Sequence, residues 1–340
     1  MKKSNLNSIL KQTAKKVDPA IKKVLISEVG REYQELVNYQ IKTGGKKVRP
    51  ALTILSCQML GGKLEDSLYP AAAVEILHNY TLIVDDIIDN GKIRRGKKTC
   101  WVKFGDSIAQ CIGGYYAASI FQAAYRSKDP EKVSQLLAQT LKKIIDGEIL
   151  DILFEQTGRE KDPYVVKKRY SQVRKEDYFK MIERKTAILI KTSCELGGIC
   201  ARAKKKEISL LKSYGLNMGM AFQVRDDILD VFGKEKTFGK KIGGDIAERK
   251  LGNIILLLAL KELSSSQKKK FLKIMRKKEI SASEINQIIK MIRKTKAKEE
   301  AVSMGEEFIV KAEKSLSKLP QNSYSEVLAE LAQFVFKRER

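Results

Sequence analysis

Apolar residues recur three and four positions apart in three long stretches: EKVSQLLAQTLKKIIDGEILDILF from Glu131, EDYFKMIERKTAILIKTSCELG from Glu176 and LLKSYGLNMGMAFQVRDDILDVFG from Leu210. That spacing gathers apolar side chains on one face of an α-helix. No stretch alternates apolar and polar positions in the manner of a strand. Proline is absent between Pro163 and Pro320, so more than 150 consecutive residues lack the strongest helix breaker. Asp18-Pro19, Asp129-Pro130 and Asp162-Pro163 each read as a capping carboxylate followed by a first-turn proline, and the stretch from Pro70 runs about five turns to Asn90-Gly91. The pattern predicts an all-α protein, residues 1–340 in a single domain, with loops at Gly61-Gly62, Asn90 to Lys98 and Gly233 to Gly244. The uncharged run from Ser107 to Tyr125 nears the length of a membrane span, but Ser107, Gln110, Ser119, Gln122 and Gly113-Gly114 make it too polar for lipid. It predicts a buried central helix.

Charge changes the picture. Sixty-six Lys and Arg stand against 41 Asp and Glu, a net +25 that first suggests nucleic acid or an anionic membrane. Thirteen basic and three acidic residues fall between Lys261 and Lys298, which reads as lysine-rich surface helices within the same domain. Base-stacking aromatics are nearly absent there, which weakens a nucleic-acid reading. Five cysteines without a CxxC pair suggest neither disulfides nor zinc and point to a reducing, cytoplasmic compartment. The start, MKKSNLNSILKQTAKK, returns to lysine before any long apolar stretch, unlike a signal peptide.

The sharpest chemical signal is a pair of D-D-x-x-D clusters, Asp85, Asp86 and Asp89 in LIVDDIID, then Asp226, Asp227 and Asp230 in FQVRDDILD. On a helix the first and third aspartates share a face one turn apart, while the middle one is rotated by about 100°. Three carboxylates so close repel one another, and a divalent cation relieves the repulsion. Mg²⁺ fits because it takes one or two carboxylates together with substrate phosphate oxygens. Basic loops lie near both clusters: TGGKKVRP upstream, GKIRRGKKT after the first, and Lys240, Lys241 and Lys250 after the second. Two basic loops beside two acidic clusters suggest two diphosphates, one held through metal and one directly.

These motifs together resemble the trans-isoprenyl diphosphate synthases, the farnesyl and geranylgeranyl diphosphate synthase family, from about Thr43 to the terminal FVFKRER. The resemblance implies the isoprenoid synthase fold, a helical bundle around a central apolar cavity. It implies that Lys46, Arg49, His78 and Arg95 hold isopentenyl diphosphate. Asp85, Asp86 and Asp89 match the first aspartate motif, with Arg94 on the allylic diphosphate. YFKMIERKTAIL assigns Lys185 and Thr186 to the allylic site, and FQVRDDILD carries over Gln223, Asp226, Asp227 and Asp230. FGKKIGGDIAERK supplies Lys240 and Lys250 for the leaving diphosphate. The catalytic set implied is Asp85, Asp86, Asp89, Lys185, Asp226, Asp227 and Lys240, with three Mg²⁺ per active site when substrate is bound. Three positions depart from the family pattern: Gly114 replaces its usual aspartate, Lys98 a proline, and Gly252 a threonine.

The implied reaction ionises an allylic diphosphate, joins it to isopentenyl diphosphate and loses a proton to the departing diphosphate. Tyr80, five residues before Asp85, with Thr81 and Leu77, would line the floor that limits the tail, a pattern like that of synthases stopping at geranylgeranyl diphosphate. Farnesyl diphosphate and longer polyprenyl products are the alternatives, and a terpene cyclase, which needs no isopentenyl site, is the other enzyme class. The family also implies a homodimer, packed through helices that could include the run from Ser107. No nucleic-acid partner and no transmembrane segment are expected, and weak contact with an anionic membrane is compatible with the basic stretch.

Overall fold

A computed structural model describes residues 6–233 and 242–337. Helices supply nearly every element among them, and the one sheet is a hairpin pairing Ile93–Arg94 with Lys97–Lys98. The chain divides into two compact units, each drawn from separate stretches. The first takes in described residues of Met1–Leu141, Leu189–Gly215 and Glu313–Leu331, the second those of Lys142–Ile188, Leu216–Ala312 and Ala332–Arg340. No helix among the described residues is long and apolar enough to cross a membrane.

The first unit is built on the helix Leu64–Ile88, which buries Ala71, Ala72, Ala73, Val74, Ile76 and Leu77 in succession. A helix apolar on every side belongs at a centre, and this one packs against Leu6–Leu25, Val48–Met59 and Asp106–Tyr125. It begins earlier than the punctuation at Pro70 implied: Pro70 lies inside it. Proline forfeits one backbone hydrogen bond there, but the apolar turns that follow bury enough surface to offset the loss. Pro19 is likewise interior to Leu6–Leu25, and Asp18, instead of capping a helix, lies 3.7 Å from the Lys47 ammonium. Pro130 and Pro163 do open helices, as expected.

Two further expectations change. The run from Ser107 forms the helix Asp106–Tyr125, but it is buried on one side only; Ile108, Phe121 and Tyr125 are exposed, Tyr125 at 78%. Lack of charge had hidden the fact that the helix carries two apolar faces. The loop from Asn90 to Lys98 contains the hairpin, whose turn residues Arg95 and Gly96 both have positive φ, 53° and 75°. Those angles fit the tight type I′ turn whose twist matches a hairpin.

The second unit has a core around Phe154, Tyr178, Ile182, Val224, Ile254 and Phe271. Helices Ser265–Met275 and Ala282–Ile292 close on it through Phe271, Ile274, Met275, Ile288, Ile289 and Ile292. Each opens with a capping box, Ser264 with Gln267 and Ser281 with Glu284. A π turn at Glu183–Ala187 interrupts the helical path before Ile188, a distortion common at functional positions. It fits only because Gly147 faces it: a Cβ there would lie 2.3 Å from the Lys185 backbone nitrogen. Gly147→Ala should therefore lower the urea unfolding midpoint by the equivalent of about 1–3 kcal/mol, and an unchanged midpoint would show that the turn moves aside freely.

Candidate active site

The first aspartate cluster sits where the helix Leu64–Ile88 ends. Asp85 and Asp86 occupy its last turn, and Asp89 is the C-cap, its amide donating to the Asp85 carbonyl at 2.8 Å. The rotation expected of the middle residue decides its fate. Asp86 is only 4% exposed, and Arg94 grips it: Nε donates to both carboxylate oxygens at 2.9 Å, and Nη2 lies 2.8 Å from Oδ1. Asp85 and Asp89 stay half-buried on the other face. Because the hairpin folds the chain back, Arg94 reaches Asp86 from eight residues downstream.

The hairpin also anchors the TGGKKVRP loop. Arg95 Nη1 donates to the Gly44 carbonyl, Lys97 Nζ to the Lys42 carbonyl at 2.9 Å, and the Tyr39 hydroxyl to the Lys98 carbonyl at 2.7 Å. Thr99 Oγ1 and Trp101 Nε1 both donate to the Gly91 carbonyl, at 2.7 and 2.8 Å. Within the loop the two lysines separate. Lys46 is exposed, whereas Lys47 is buried, left-handed in backbone, and paired with Glu75 at 3.0 Å. The helix Val48–Met59 starts immediately after, so the positive end of its dipole adds to the potential around Lys46 and Arg49.

Arg49 Nη1 lies 3.2 Å from His78 Nε2. Guanidinium can only donate, so Nε2 must be the bare acceptor and the ring is neutral. Burial, with Arg49 and then Arg95 adding positive charge, pushes the His78 pKa well below its usual value of 6.5. Around His78 on the helix Leu64–Ile88, Thr81 Oγ1 donates to the His78 carbonyl at 2.8 Å, Leu77 is fully buried, and the half-buried Tyr80 ring adjoins Gly113.

The second cluster, in the helix Lys205–Phe232, repeats the division of labour. Asp227 is 1% exposed; its Oδ1 accepts from Gln223 Nε2 at 3.0 Å and its Oδ2 from the Ile254 amide at 2.8 Å. Gln223 is fixed in turn by Thr186 Oγ1, which donates to its Oε1 at 2.8 Å. Burial and then the neighbouring Asp245 push the Asp227 carboxyl well above the usual range. Asp226 and Asp230 are half-buried, and Asp230 accepts from the Gly244 amide at 2.9 Å. Among the described residues no three His, Cys, Asp or Glu converge into a ready-made metal cage. Magnesium does not require one, since phosphate oxygens and water complete its shell.

The lysines of this unit meet two carboxylates that the sequence reading did not single out. Lys185 Nζ lies 2.7 Å from both Asp151 and Glu148, and Lys250 Nζ 3.2 Å from Asp151. Burial alone would raise the Asp151 carboxyl, but Lys185 and Lys250 hold it below the ordinary carboxylate range. Asp245, bound by Asn253 Nδ2 at 2.7 Å, was also missed. The GEILD spacing in a helical stretch was the available signal, since Glu148 and Asp151 lie three apart and share a face. Lys240 and Lys241 lie outside the described residues.

The chain has one histidine, so proton NMR of its ring is unambiguous. The depressed pKa means that the His78 signal should not titrate between about pH 6 and 8. His78 should lower folded stability only as pH falls below the unfolded value, about 6.5; a titration centred there in the folded protein would contradict the Arg49 contact.

A family model described as polyprenyl synthetase matches residues 31–292. The chain is 31% identical over 334 residues to the short chain isoprenyl diphosphate synthase of Methanothermobacter thermautotrophicus, covering 97% of this chain and 98% of that one. It is 38% identical over 232 residues to the geranylgeranyl diphosphate synthase of Saccharolobus solfataricus, covering 66% of each. The crystal structure of a geranylgeranyl pyrophosphate synthetase from Pyrococcus horikoshii superposes with a TM-score of 0.89 at 30% identity, over 99% of this chain and 100% of that one. With both aspartate motifs and the basic loops in place within that match, the chain belongs to the polyprenyl synthetase family.

Proposed function

We propose that this protein is a magnesium-dependent prenyltransferase that condenses isopentenyl diphosphate with an allylic diphosphate to give geranylgeranyl diphosphate. The observation that carries the reading is the repeated division within the two D-D-x-x-D motifs. In each, a buried middle carboxylate is held by fixed donors, and half-buried outer carboxylates remain on the other face. Magnesium, when bound by Asp85, Asp89, Asp226 and Asp230, would draw charge from diphosphate oxygens as the allylic bond breaks. Asp86 and Asp227 then orient their helix ends. Lys185 and Lys250, with Arg94 and the Lys240 that the motif supplies, stabilise the departing diphosphate. Lys46, Arg49 and Arg95 hold the isopentenyl diphosphate, and neutral His78 serves that site as a hydrogen-bonding group without adding charge. Residues 1–340 act in this reading as one catalytic domain, in the cytoplasm.

Incubation with Mg²⁺, isopentenyl diphosphate and each allylic primer should yield a twenty-carbon diphosphate, and none without isopentenyl diphosphate. Product formed without it would instead favour a cyclase. Asp85→Asn and Asp226→Asn should each lower kcat on the order of a hundredfold or more, whereas Tyr80→Ala should keep activity and lengthen the product. Unchanged product length in that variant removes Tyr80 from the cavity floor.

The exposed apolar face of the helix Asp106–Tyr125, with Ile108, Phe121 and Tyr125, supports a homodimer packed through it. Sedimentation should give about twice the 38.4 kDa of the chain, and Phe121→Glu should shift the protein toward monomer; a dimer unaffected by that change lies on another face.

A further inference from the structure

The lysine-rich stretch takes no part in the chemistry above, yet its charge is organised. Helices Ser265–Met275 and Ala282–Ile292 turn their Phe, Ile and Met side chains into the core of the second unit. Their other faces expose Lys269, Lys270, Lys273 and Lys290, with Arg276, Arg293 and Lys294 just beyond the helix ends. Of the thirteen basic residues between Lys261 and Lys298, Lys277 alone forms an ion pair with a carboxylate, Glu284, among the described residues. Between the two helices lies a groove of about 760 Å³ lined by Gln267, Ser283, Asn286, Gln287, Lys290 and Lys294, with Met291 beneath. No carboxylate lines it. Gln267 Oε1 is committed to the Ser264 amide at 3.0 Å, which turns its amide NH₂ toward use as a donor.

We propose that this groove and the lysines around it form a docking surface for an anionic lipid bilayer, with headgroup phosphates entering the groove. Ammonium groups supply point charge, and the amide and hydroxyl side chains supply neutral donors, a combination suited to phosphate oxygens. The cations continue well past the groove, so the fit is to an extended anionic surface and not to one small anion. No large apolar side chain is exposed between Lys261 and Lys298, so the protein adsorbs through headgroups and does not insert. Phe271, the one aromatic of the stretch, is fully buried, and a nucleic acid would find no base-stacking platform. The use of such docking rests on the prenyltransfer reading: a diphosphate on a long hydrocarbon partitions into membranes, and release beside one spares it passage through water.

The test is co-sedimentation of the full chain with vesicles of phosphatidylcholine alone or with phosphatidylglycerol. Each basic residue near an anionic leaflet contributes about fivefold in affinity. Lys290→Glu with Lys294→Glu should therefore weaken binding to the anionic vesicles at least about tenfold, while the exposed pair Lys22→Glu with Lys23→Glu, equal in charge, should change it by less than about threefold. Binding should fall with salt and be absent from phosphatidylcholine. No binding to anionic vesicles, equal loss in both double variants, or tighter and co-abolished binding to duplex DNA would overturn the proposal. Prenyl transfer measured without vesicles separates the two readings: an active protein that ignores vesicles refutes only the docking surface, and an inactive one that binds them refutes only the reaction.

Discussion

Residues adjacent on a helix point about 100° apart, and in a D-D-x-x-D motif that angle forces one carboxylate inward when the other two face outward. A buried carboxylate without partners is costly, so each motif obliges the chain to deliver donors to its middle residue. For Asp86 the donor is Arg94, and the hairpin with its Arg95-Gly96 turn is the means of bringing it back. For Asp227 the donors are Gln223, one turn earlier, and the Ile254 amide at the start of the helix Ile254–Glu262. Much of the irregular structure near each cluster follows from meeting that demand, and the orientation of the outer carboxylates follows from the inner one being fixed.

The same logic governs the lysines. Lys185 and Lys250 approach one another because both are held by Asp151, and two ammonium groups so near would otherwise repel. The π turn sets the Lys185 backbone against Gly147, one residue before Glu148 on the helix that also carries Asp151. Backbone contact and charge pairing therefore position the same lysine, which keeps it preorganised for an anion instead of leaving it to sample solvent.

Helical architecture and the identity of both aspartate motifs were legible in the sequence because each depends on spacing along one element. What was not legible depends on geometry between elements. Proline reads as a helix start, yet Pro19 and Pro70 are carried inside helices by the apolar turns that flank them. The Arg-Gly turn escapes notice because type I′ hairpins usually announce themselves with Asn-Gly or Asp-Gly. The motif match singles out Lys46 but says nothing of burial; only the fold shows it exposed and its neighbour Lys47 buried against Glu75. The half-exposed helix Asp106–Tyr125 carries two apolar faces, and periodicity alone cannot say which is covered within the chain.

Two of the three departures from the family pattern, Gly252 and Gly114, divide on the same physical ground. At Gly252 a Cβ would stand 3.0 Å from Met181 Cε, 3.1 Å from Phe154 Cδ2 and 3.2 Å from Asp151 Oδ1. A threonine there would press on the carboxylate that holds Lys185 and Lys250, so the glycine is tied to the bulk of Met181 and Phe154. Gly114 differs: nothing lies within 4 Å of its Cβ position, and it is exposed on the outer side of its helix. Packing within the chain therefore explains the first replacement and places no demand on the second, where a side chain would stand on the exposed face of the helix Asp106–Tyr125 without touching the rest of the chain.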